Sequence, residues 1–324
     1  MLEGEVMVGI RDIAKEAGVS ISTVSYALNG SPKVTEETRS RIIEIAQELN
    51  YVPNMAARTL KKQHTNIIGV YLSDYSGTFY GELLDGIKRG LQTYNYEMIV
   101  CSGQKSHLFI PEKMIDGAII LDWTFKNEEI ENLAKQGHAI VVLDRKLNNK
   151  NICEVLLDNE SGAAMVIEKM ASTNSKKVYL ITGSNGYDNQ QRLRTSIKEL
   201  ERYGIDYTVI NGDFTEPSGI RAGENIMSMS PSFPIDIFSF NDEMAVGLYK
   251  YFRNEGLVIG KDVRIIGFDN IEIGDFLNPK LATIAYSKHR WGMIAAEKIV
   301  NLIKNKKLEN ESIYTTYISA PSFP

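Results

Sequence analysis

The sequence contains few of the residues that bind metals or carry out covalent catalysis. Its 324 residues include two cysteines and four histidines. Cys101 and Cys153 lie in separate apolar segments without a CxxC pattern, so we expect them to be buried free thiols. The sequence also lacks the GxxxxGK[ST], GxGxxG, HExxH and GxSxG signatures of nucleotide-binding proteins and hydrolases. We therefore expect no enzymatic activity and no requirement for a cofactor or metal.

Long apolar runs are also missing. No stretch reaches the roughly 20 residues that a helix needs to cross a bilayer. Residues 1–7 lack the positive start and the apolar core of a secretory signal. We therefore expect a cytoplasmic chain with no membrane partner. The length predicts two or three domains, and 43% hydrophobic residues is ordinary for a globular protein.

Residues 10–28 have the pattern of two short helices joined by a tight turn. Between positions 10 and 17 the apolar residues recur at helical spacing, so one face can be buried. Gly18 tolerates the positive φ of a sharp turn, and Ser20 can cap a second helix from Ile21 to Leu28. Three side chains of the second helix are predicted to face outward as candidate base readers: Ile21, Ser22 and Tyr26.

A third predicted helix completes this N-terminal unit. Thr35 supplies a cap, and Glu36 and Glu37 lie at the positive end of a helix that runs to about Asn50. Its apolar residues form one stripe, which is enough to close a three-helix domain. Any two short helices joined by a glycine would fit the first part of this pattern, so the pattern alone leaves DNA binding open.

Two segments give the unit a more specific likeness. Residues 19–30, VSISTVSYALNG, and residues 49–60, LNYVPNMAARTL, resemble the headpiece and hinge of the lactose/galactose repressor (LacI/GalR) family. Weaker matches follow in register at 68–70, 238–242 and 266–269. The resemblance implies a helix-turn-helix headpiece at 7–52, a hinge at 53–65 and an effector-binding and dimerisation core at 66–324. The implied DNA contacts are Ser20, Ile21, Ser22, Thr23, Ser25, Tyr26, Asn29, Tyr51, Asn54, Ala57 and Leu60.

The resemblance also implies how the hinge works. It would form a helix only on the operator, with Leu60 wedged into a minor-groove base step. An isolated helix of fewer than about ten residues is unstable in water, which suits a segment that folds on binding. The alternative is an ordinary basic linker. Because residues 7–62 carry only eight basic against six acidic side chains, and the whole chain has a net charge of −5, we expect a homodimer that doubles the phosphate contacts.

Tyr26 stands where many family members have arginine. An arginine can donate two hydrogen bonds to guanine O6 and N7, whereas a phenol can donate one or contact a thymine methyl group. We therefore expect an operator that differs at this base pair, with DNA binding retained.

From Asn66 onward, short apolar runs alternate with amphipathic helices. Continuous apolar strands separated by helices predict parallel sheets that are buried on both faces. The alternation repeats after Asp158, so we expect two doubly wound α/β lobes that face each other across a cleft, as in periplasmic-binding-protein-like cores. We assign about 66–157 plus 283–300 to lobe 1, and about 158–282 plus 301–324 to lobe 2.

Residues 102–116 depart from the family pattern. A helix of about four turns is usual there, whereas this segment contains Pro111 and little helical periodicity. We therefore expect a lost or shortened helix in lobe 1. Effector contacts and dimer contacts from that helix cannot be carried over to this chain.

Polar and aromatic residues follow the predicted strands at the edge where parallel sheets bind ligands. Carboxylates, amides and guanidinium groups match the hydroxyl groups of a sugar, and aromatic rings match its apolar face. The resemblance assigns the effector arginine to Arg192, the lid aromatic to Phe214 and the sugar-binding amide and carboxylate to Asn241 and Asp269. The candidate effector contacts are Phe79, Arg145, Arg192, Phe214, Asn241, Asp269 and Tyr286.

Simpler roles compete at some of these positions. We expect Asp242 to cap the following helix, and Phe79 could pack between the lobes without touching a ligand. Tyr286 and Thr195 stand where the family commonly has glutamine and glycine. The identity of the ligand therefore cannot be transferred from the family.

These observations favour a DNA-binding transcriptional regulator, a dimeric repressor of carbohydrate-utilisation genes. It would bind a near-palindromic double-stranded operator, and a sugar or sugar derivative in the cleft would control it. Two alternatives stay open: a cytoplasmic sugar-binding protein without operator function, and a regulator that responds to a partner protein instead of a sugar.

Overall fold

The structure of the chain, a computed structural model, describes residues 8–52, 64–73, 75, 79–147, 149–306 and 309–324. Its contacts divide it into two compact units, residues 1–65 and 66–324. Three residues named above lie outside the described residues: Asn54, Ala57 and Leu60. What the sequence predicts for these three stays a prediction.

The N-terminal unit contains three helices around a small apolar core. They are α1 (Ile10–Glu16), α2 (Ile21–Leu28) and α3 (Glu36–Glu48). Gly18 has φ 63° and makes the turn between α1 and α2, as the sequence predicted. Ser20 Oγ accepts a hydrogen bond from the backbone N–H of Thr23 at 3.1 Å and caps α2. The buried core residues are Ile13, Ala14, Ala17, Val24, Ala27, Val34, Ile42 and Ala46.

The first lobe of the core is built on a six-stranded parallel sheet with the order β11-β5-β4-β3-β1-β2. Its strands are β1 (Ile67–Leu72), β2 (Glu97–Cys101), β3 (Gly117–Leu121), β4 (Ala139–Val142), β5 (Ile152–Leu157) and β11 (Glu311–Ile313). Helices α4 (Phe79–Gln92) and α5 (Asn127–Lys135) connect them. The central strands are almost fully buried because helices cover both faces of the sheet.

The second lobe repeats this design around a sheet with the order β12-β10-β9-β8-β6-β7. Its strands are β6 (Lys177–Thr182), β7 (Asp206–Asn211), β8 (Ile235–Ser239), β9 (Val263–Phe268), β10 (Ala282–Ala285) and β12 (Thr316–Ile318). Only the β10–β12 pair is antiparallel. The helices are α6 (Asn159–Ser172), α7 (Tyr187–Tyr203), α8 (Glu216–Ser228) and α9 (Asp242–Asn254).

The chain passes between the lobes at points that differ from the expected boundaries. The segment 283–300 was expected in lobe 1, and its helical residues from 288 onward do pack on that lobe, but β10 pairs with β9 in the second sheet. The segment 301–324 was expected in lobe 2, where β12 does pair with β10, but β11 pairs with β5 in the first sheet. Both strands are only three or four residues long. β10 is buried and apolar, whereas β11 has only Ile313 buried, and segments this short cannot show which sheet edge they join.

The last helix, α10 (Lys288–Ile303), packs closely against α4. A Cβ atom on Gly86 would lie 2.1 Å from the carbonyl oxygen of His289, and one on Gly292 would lie 2.3 Å from that of Leu83. Glycines at the crossing therefore let the two backbones approach each other. Trp291 of α10 is fully buried, and its indole N–H donates to the carbonyl oxygen of Val155 at 2.8 Å.

The segment between β2 and β3 confirms the expected shortening. It contains one turn-like 3-10 helix, Gln104–Phe109, in place of a long α-helix. Buried His107 fixes this segment to the lobe, because its ring stacks on Phe125 and its Nδ1 lies 3.0 Å from Glu129 Oε1. Cys101 and Cys153 are both buried and unpaired, as predicted.

None of the helices within the described residues combines the length and apolarity needed to cross a membrane.

Candidate functional site

Helix α2 presents a mixed polar and apolar surface. Ile21 is 46% exposed, and Ser22 and Asn29 are exposed beside it. Tyr26 is half-buried, and the Lys33 ammonium group lies 5.1 Å from the centre of its ring. An exposed isoleucine next to a serine and a phenol offers both an apolar contact and hydrogen-bonding groups to a base edge.

Other predicted DNA contacts have a structural role in this unit. The Ser20 hydroxyl lies within hydrogen-bonding distance of the hydroxyls of Ser22 and Thr23, at 2.7 and 2.8 Å. Asn29 donates its amide N–H to the Ser25 carbonyl oxygen at 2.7 Å, and Tyr51 packs against the small core. These side chains therefore start, end and support α2.

The basic side chains of the unit divide into two groups. Arg39 donates to Glu36 at 2.6 Å and to the Ser31 carbonyl oxygen at 3.0 Å, and Arg41 donates to the Ala17 carbonyl oxygen. The remaining described basic side chains of the unit are exposed: Arg11, Lys15 and Lys33.

Arg192 is the centre of the candidate ligand site in the second lobe. It lies in the second turn of α7 and is 4% exposed. Its Nε donates to Asn159 Oδ1 at 2.8 Å, and its Nη1 donates to the Phe240 carbonyl oxygen. The guanidinium carbon lies 3.6 Å from the centre of the Phe268 ring. The sequence predicted Arg192 but missed Asn159, which sets the direction of the guanidinium group.

Asp269 follows β9 and faces Arg192. Its Oδ1 lies 3.8 Å from Arg192 Nη2, which is an ion pair too long for a hydrogen bond. The same oxygen accepts a hydrogen bond from the Tyr286 hydroxyl at 2.8 Å. The Tyr286 ring contacts Phe268 of β9 and Trp291 of α10, with centroids 6.2 and 6.0 Å apart. The fold therefore brings Arg192, Asp269 and Tyr286 together, although they are far apart in sequence.

Asp188 is a second carboxylate in the candidate ligand site, and it is not among the residues predicted from the sequence. Its Oδ1 accepts a hydrogen bond from Asn159 Nδ2 at 2.7 Å. Burial of the carboxyl group raises the pKa of Asp188 to about 6, against the attraction of Arg192, and the charge of Asp144 in the first lobe raises it further. The negative charge of Asp144 in the first lobe therefore acts on Asp188 in the second lobe.

Burial also changes the acidity of the groups around Asp269. It raises the pKa of Asp269 itself, while Arg192 and Lys288 lower it. It raises the pKa of Tyr286 well above its ordinary value, and the neighbouring Asp269 charge acts in the same direction. Tyr286 is therefore a hydroxyl donor to the carboxylate throughout the neutral pH range.

Asn241 and Phe214 are linked to each other. Asn241 is the N-cap of α9, because its Oδ1 accepts from the backbone N–H of Met244 at 2.9 Å. Its Nδ2 donates to the Phe214 carbonyl oxygen at 2.8 Å. Phe214 has φ 69°, and its ring covers Gly183 so closely that a Cβ there would lie 2.1 Å from it. Asn241 therefore fixes the loop that carries the aromatic side chain.

The expected capping role of Asp242 is wrong, since Asn241 is the cap. Asp242 is buried one residue further on, where it accepts hydrogen bonds from the Thr283 hydroxyl at 2.7 Å and the Ile271 N–H at 3.0 Å. Burial raises its pKa to about 8, and the nearby Asp269 adds to this rise. Asp242 therefore supports the loop that follows Asp269.

In the first lobe, the Arg145 side chain forms a brace. Its Nε and Nη2 both bind the neighbouring Asp144 carboxylate at 2.8 Å, and further bonds reach the carbonyl oxygens of Phe125 and Asp122 at 2.8 and 2.6 Å. Phe79 starts α4 and packs edge-on against Tyr80, with centroids 5.0 Å apart. Within the described residues, no group of three or more His, Cys, Asp or Glu side chains is arranged to hold a metal ion.

Two family models match separate parts of the chain. Residues 9–54 match the model of "Bacterial regulatory proteins, lacI family", and residues 167–319 match that of "Periplasmic binding protein-like domain". A curated relative, the probable HTH-type transcriptional repressor ExuR of Bacillus subtilis, is 29% identical over 318 residues, which is 95% of each chain.

Solved structures extend the comparison to the whole length. A sugar-binding transcriptional regulator of the LacI family from Enterococcus faecalis is 61% identical, with a TM-score of 0.77, and the match covers 80% of this chain and 98% of that one. The Lac repressor dimer bound to operator has a TM-score of 0.82 at 22% identity, covering 97% and 98%, and shares the fold. A LacI-family regulator from Enterococcus faecium with bound ribose is 26% identical, with a TM-score of 0.72 and coverage of 79% and 98%.

Proposed function

Because the chain belongs to the LacI family of bacterial transcriptional regulators, we propose that it represses genes of carbohydrate use by binding a near-palindromic operator as a homodimer. A sugar or sugar derivative between its two lobes controls this binding. The proposal rests on one observation. The same chain has an exposed surface on helix α2 and a buried Arg192–Asp269 pair at the strand ends of the second lobe.

The DNA half of the proposal rests on α2. Its exposed Ile21 and Ser22 and its half-buried Tyr26 would read base edges, while Arg11, Lys15 and Lys33 would meet phosphates. With so few cations, one headpiece would bind weakly, and two copies would double the phosphate contacts. The hinge with Leu60 would add a minor-groove wedge.

The ligand half of the proposal rests on the Arg192 site. A guanidinium and two carboxylates, Asp188 and Asp269, offer donors and acceptors to adjacent hydroxyl groups of a sugar. The Phe214 ring, whose loop is fixed by Asn241 and which lies against Gly183, would cover the apolar face of the sugar. Relatives described as sugar-binding and as carrying ribose support this class of ligand.

Ligand control would act through the two lobes. Asp144 and Asp188 carry like charges across the lobe boundary, so a ligand that donates hydrogen bonds to both would favour a closer arrangement. Operator and ligand would then prefer different arrangements of the lobes in the dimer. A coupling of about 1–3 kcal/mol between the sites is enough for regulation.

The test is a selection of genomic DNA fragments with purified protein, followed by operator titrations with and without each of a panel of neutral sugars that includes ribose and cellobiose. We expect a palindromic site whose affinity shifts with one sugar. A site that ignores every sugar would contradict the ligand half and favour control by a partner protein. Sugar binding without any selected site would contradict the DNA half.

A further inference from the structure

Lys288 is a buried lysine at the first position of α10. It is 1% exposed, and it belongs to none of the predicted contacts. Its Nζ donates to the carbonyl oxygens of Asp269 and Asn270, at 2.5 and 3.4 Å, and lies 5.3 Å from the centre of the Tyr286 ring. An ammonium group is almost never buried without a compensating role, because the loss of hydration is costly.

The backbone that Lys288 holds is in a conformation that side chains disfavour. Asp269 has φ 108° and Asn270 has φ 49°. Consecutive positive φ values at residues other than glycine cost energy and persist only where the surroundings enforce them. Both carbonyl oxygens of this pair accept hydrogen bonds from the same ammonium group.

A second set of bonds supports the loop from the opposite side. The Asn270 N–H donates to Thr283 Oγ1 at 3.4 Å, and the Ile271 N–H donates to Asp242 Oδ2 at 3.0 Å. The Thr283 hydroxyl in turn donates to Asp242 Oδ1 at 2.7 Å. The loop is therefore held by its carbonyl groups on one side and by its N–H groups on the other.

We propose that Lys288 is a positioning residue for the ligand site: its ammonium group holds Asp269 and Asn270 in their strained conformation, which directs the Asp269 carboxylate toward Arg192 and Tyr286. The inference rests on the proposed function only in taking Asp269 as a ligand contact. Without Lys288, the loop would relax, and the carboxylate would leave the position that faces Arg192.

The charge of Lys288 has a second effect on the same carboxylate. It lowers the pKa of Asp269 and that of Asp242, against the effect of burial. This charge effect is present whether or not the lysine holds the loop. The titration of Asp269 therefore reports the charge, and the hydrogen exchange of the loop amides reports the positioning role.

The experiment compares Lys288→Met with the parent protein and needs neither DNA nor a sugar. We expect the Ile271 amide to exchange its hydrogen at least about tenfold faster relative to the Ile237 amide of β8, since hydrogen bonds from a charged group are lost. We also expect Asp269, followed by carbon-13 NMR and assigned with Asp269→Asn, to titrate at a higher pH. Lys298→Met is the matched control: it removes a lysine of the same helix that pairs with Glu311 at 3.0 Å.

Two outcomes decide the proposal. The proposal is supported if, in Lys288→Met, the Ile271 amide exchanges faster and Asp269 titrates at a higher pH. Lys298→Met should show neither change. Exchange at Ile271 equal to that of the parent would overturn the proposal whatever the titration shows, because the charge acts on Asp269 without holding the loop. If Lys288→Met does not fold, Lys288→Gln takes its place, because it removes the charge while keeping a polar side chain. Faster exchange at Ile271 again supports the proposal, and unchanged exchange overturns it. Because no operator or sugar is involved, failure here is distinct from failure of the proposed function.

Discussion

At the scale of single residues, the geometry of the ligand site depends on neighbouring groups that hold Arg192 and Asp269 in place. Arg192 is directed by Asn159 and the Phe240 carbonyl oxygen, and Asp269 by Tyr286 and its own strained backbone. The family resemblance predicted Arg192 and Asp269. It could not predict Asn159, because an asparagine in the first turn of a helix, next to the Asp158 cap, looks like part of an ordinary helix start. The contact between Asn159 and Arg192 exists only after α6 and α7 pack together.

Arg192→Ala should remove the ligand response while operator binding persists. The loss of one or two charge-assisted hydrogen bonds should weaken sugar binding roughly 10- to 100-fold. Sugar binding is measured by calorimetry, and operator binding by fluorescence anisotropy. Arg194→Ala is the matched control, because Arg194 is exposed two residues further along α7. An unchanged sugar affinity in Arg192→Ala would show that the ligand binds elsewhere.

Asp188 should make the stability of the folded protein decrease as the pH rises through a defined range. Its pKa is raised from 3.8 to about 6, so the folded chain holds a proton that the unfolded chain releases between these values. The free energy of unfolding should therefore fall through this window as the pH rises, owing to this residue. Asp188→Asn should remove that contribution. Urea unfolding at several pH values should show the stability difference between variant and parent growing from about pH 4 to 6, then levelling. A constant difference would contradict the assignment.

At the scale of elements, sequence periodicity predicted most of the fold. Long apolar runs such as β1 and β8 are buried on both faces, so their pattern is clear. Pro111 and the weak helical periodicity around it predicted a lost or shortened helix between β2 and β3, and a short 3-10 helix is found there. The short strands β10 and β11 were placed in the wrong lobes, because their pairing depends on how the chain passes between two sheets. Asp242 was misread because Asn241, one residue earlier, takes the cap.

The crossing of α4 and α10 should be sensitive to a single added methyl group. Gly86→Ala places a Cβ 2.1 Å from the His289 carbonyl oxygen, which no rotamer can avoid. We expect a loss of about 1–3 kcal/mol in the free energy of unfolding of the core. Gly81→Ala is the control on the same helix, since nothing lies within 4 Å of its Cβ and alanine favours the helix. Equal stability of the two variants in urea would contradict the close crossing.

At the scale of the whole molecule, the proposed function requires two sites to influence each other. The headpiece would read DNA and the core would bind the sugar, and only the hinge links them along the chain. A hinge that folds on the operator would make specific binding depend on contacts that non-specific binding does not use. This difference can be measured.

Leu60→Ala should weaken specific operator binding much more than non-specific binding. The leucine wedge would act only where a base step opens, whereas phosphate contacts form on any sequence. The expected loss is about 1–3 kcal/mol for the operator and close to none for random DNA. Lys62→Ala is the matched control, because a lost phosphate contact should weaken both and reduce the salt dependence by about one ion. Anisotropy titrations at two salt concentrations measure the affinity of each variant for the operator and for random DNA. An equal loss on both DNAs for Leu60→Ala would mean that the segment is an ordinary linker.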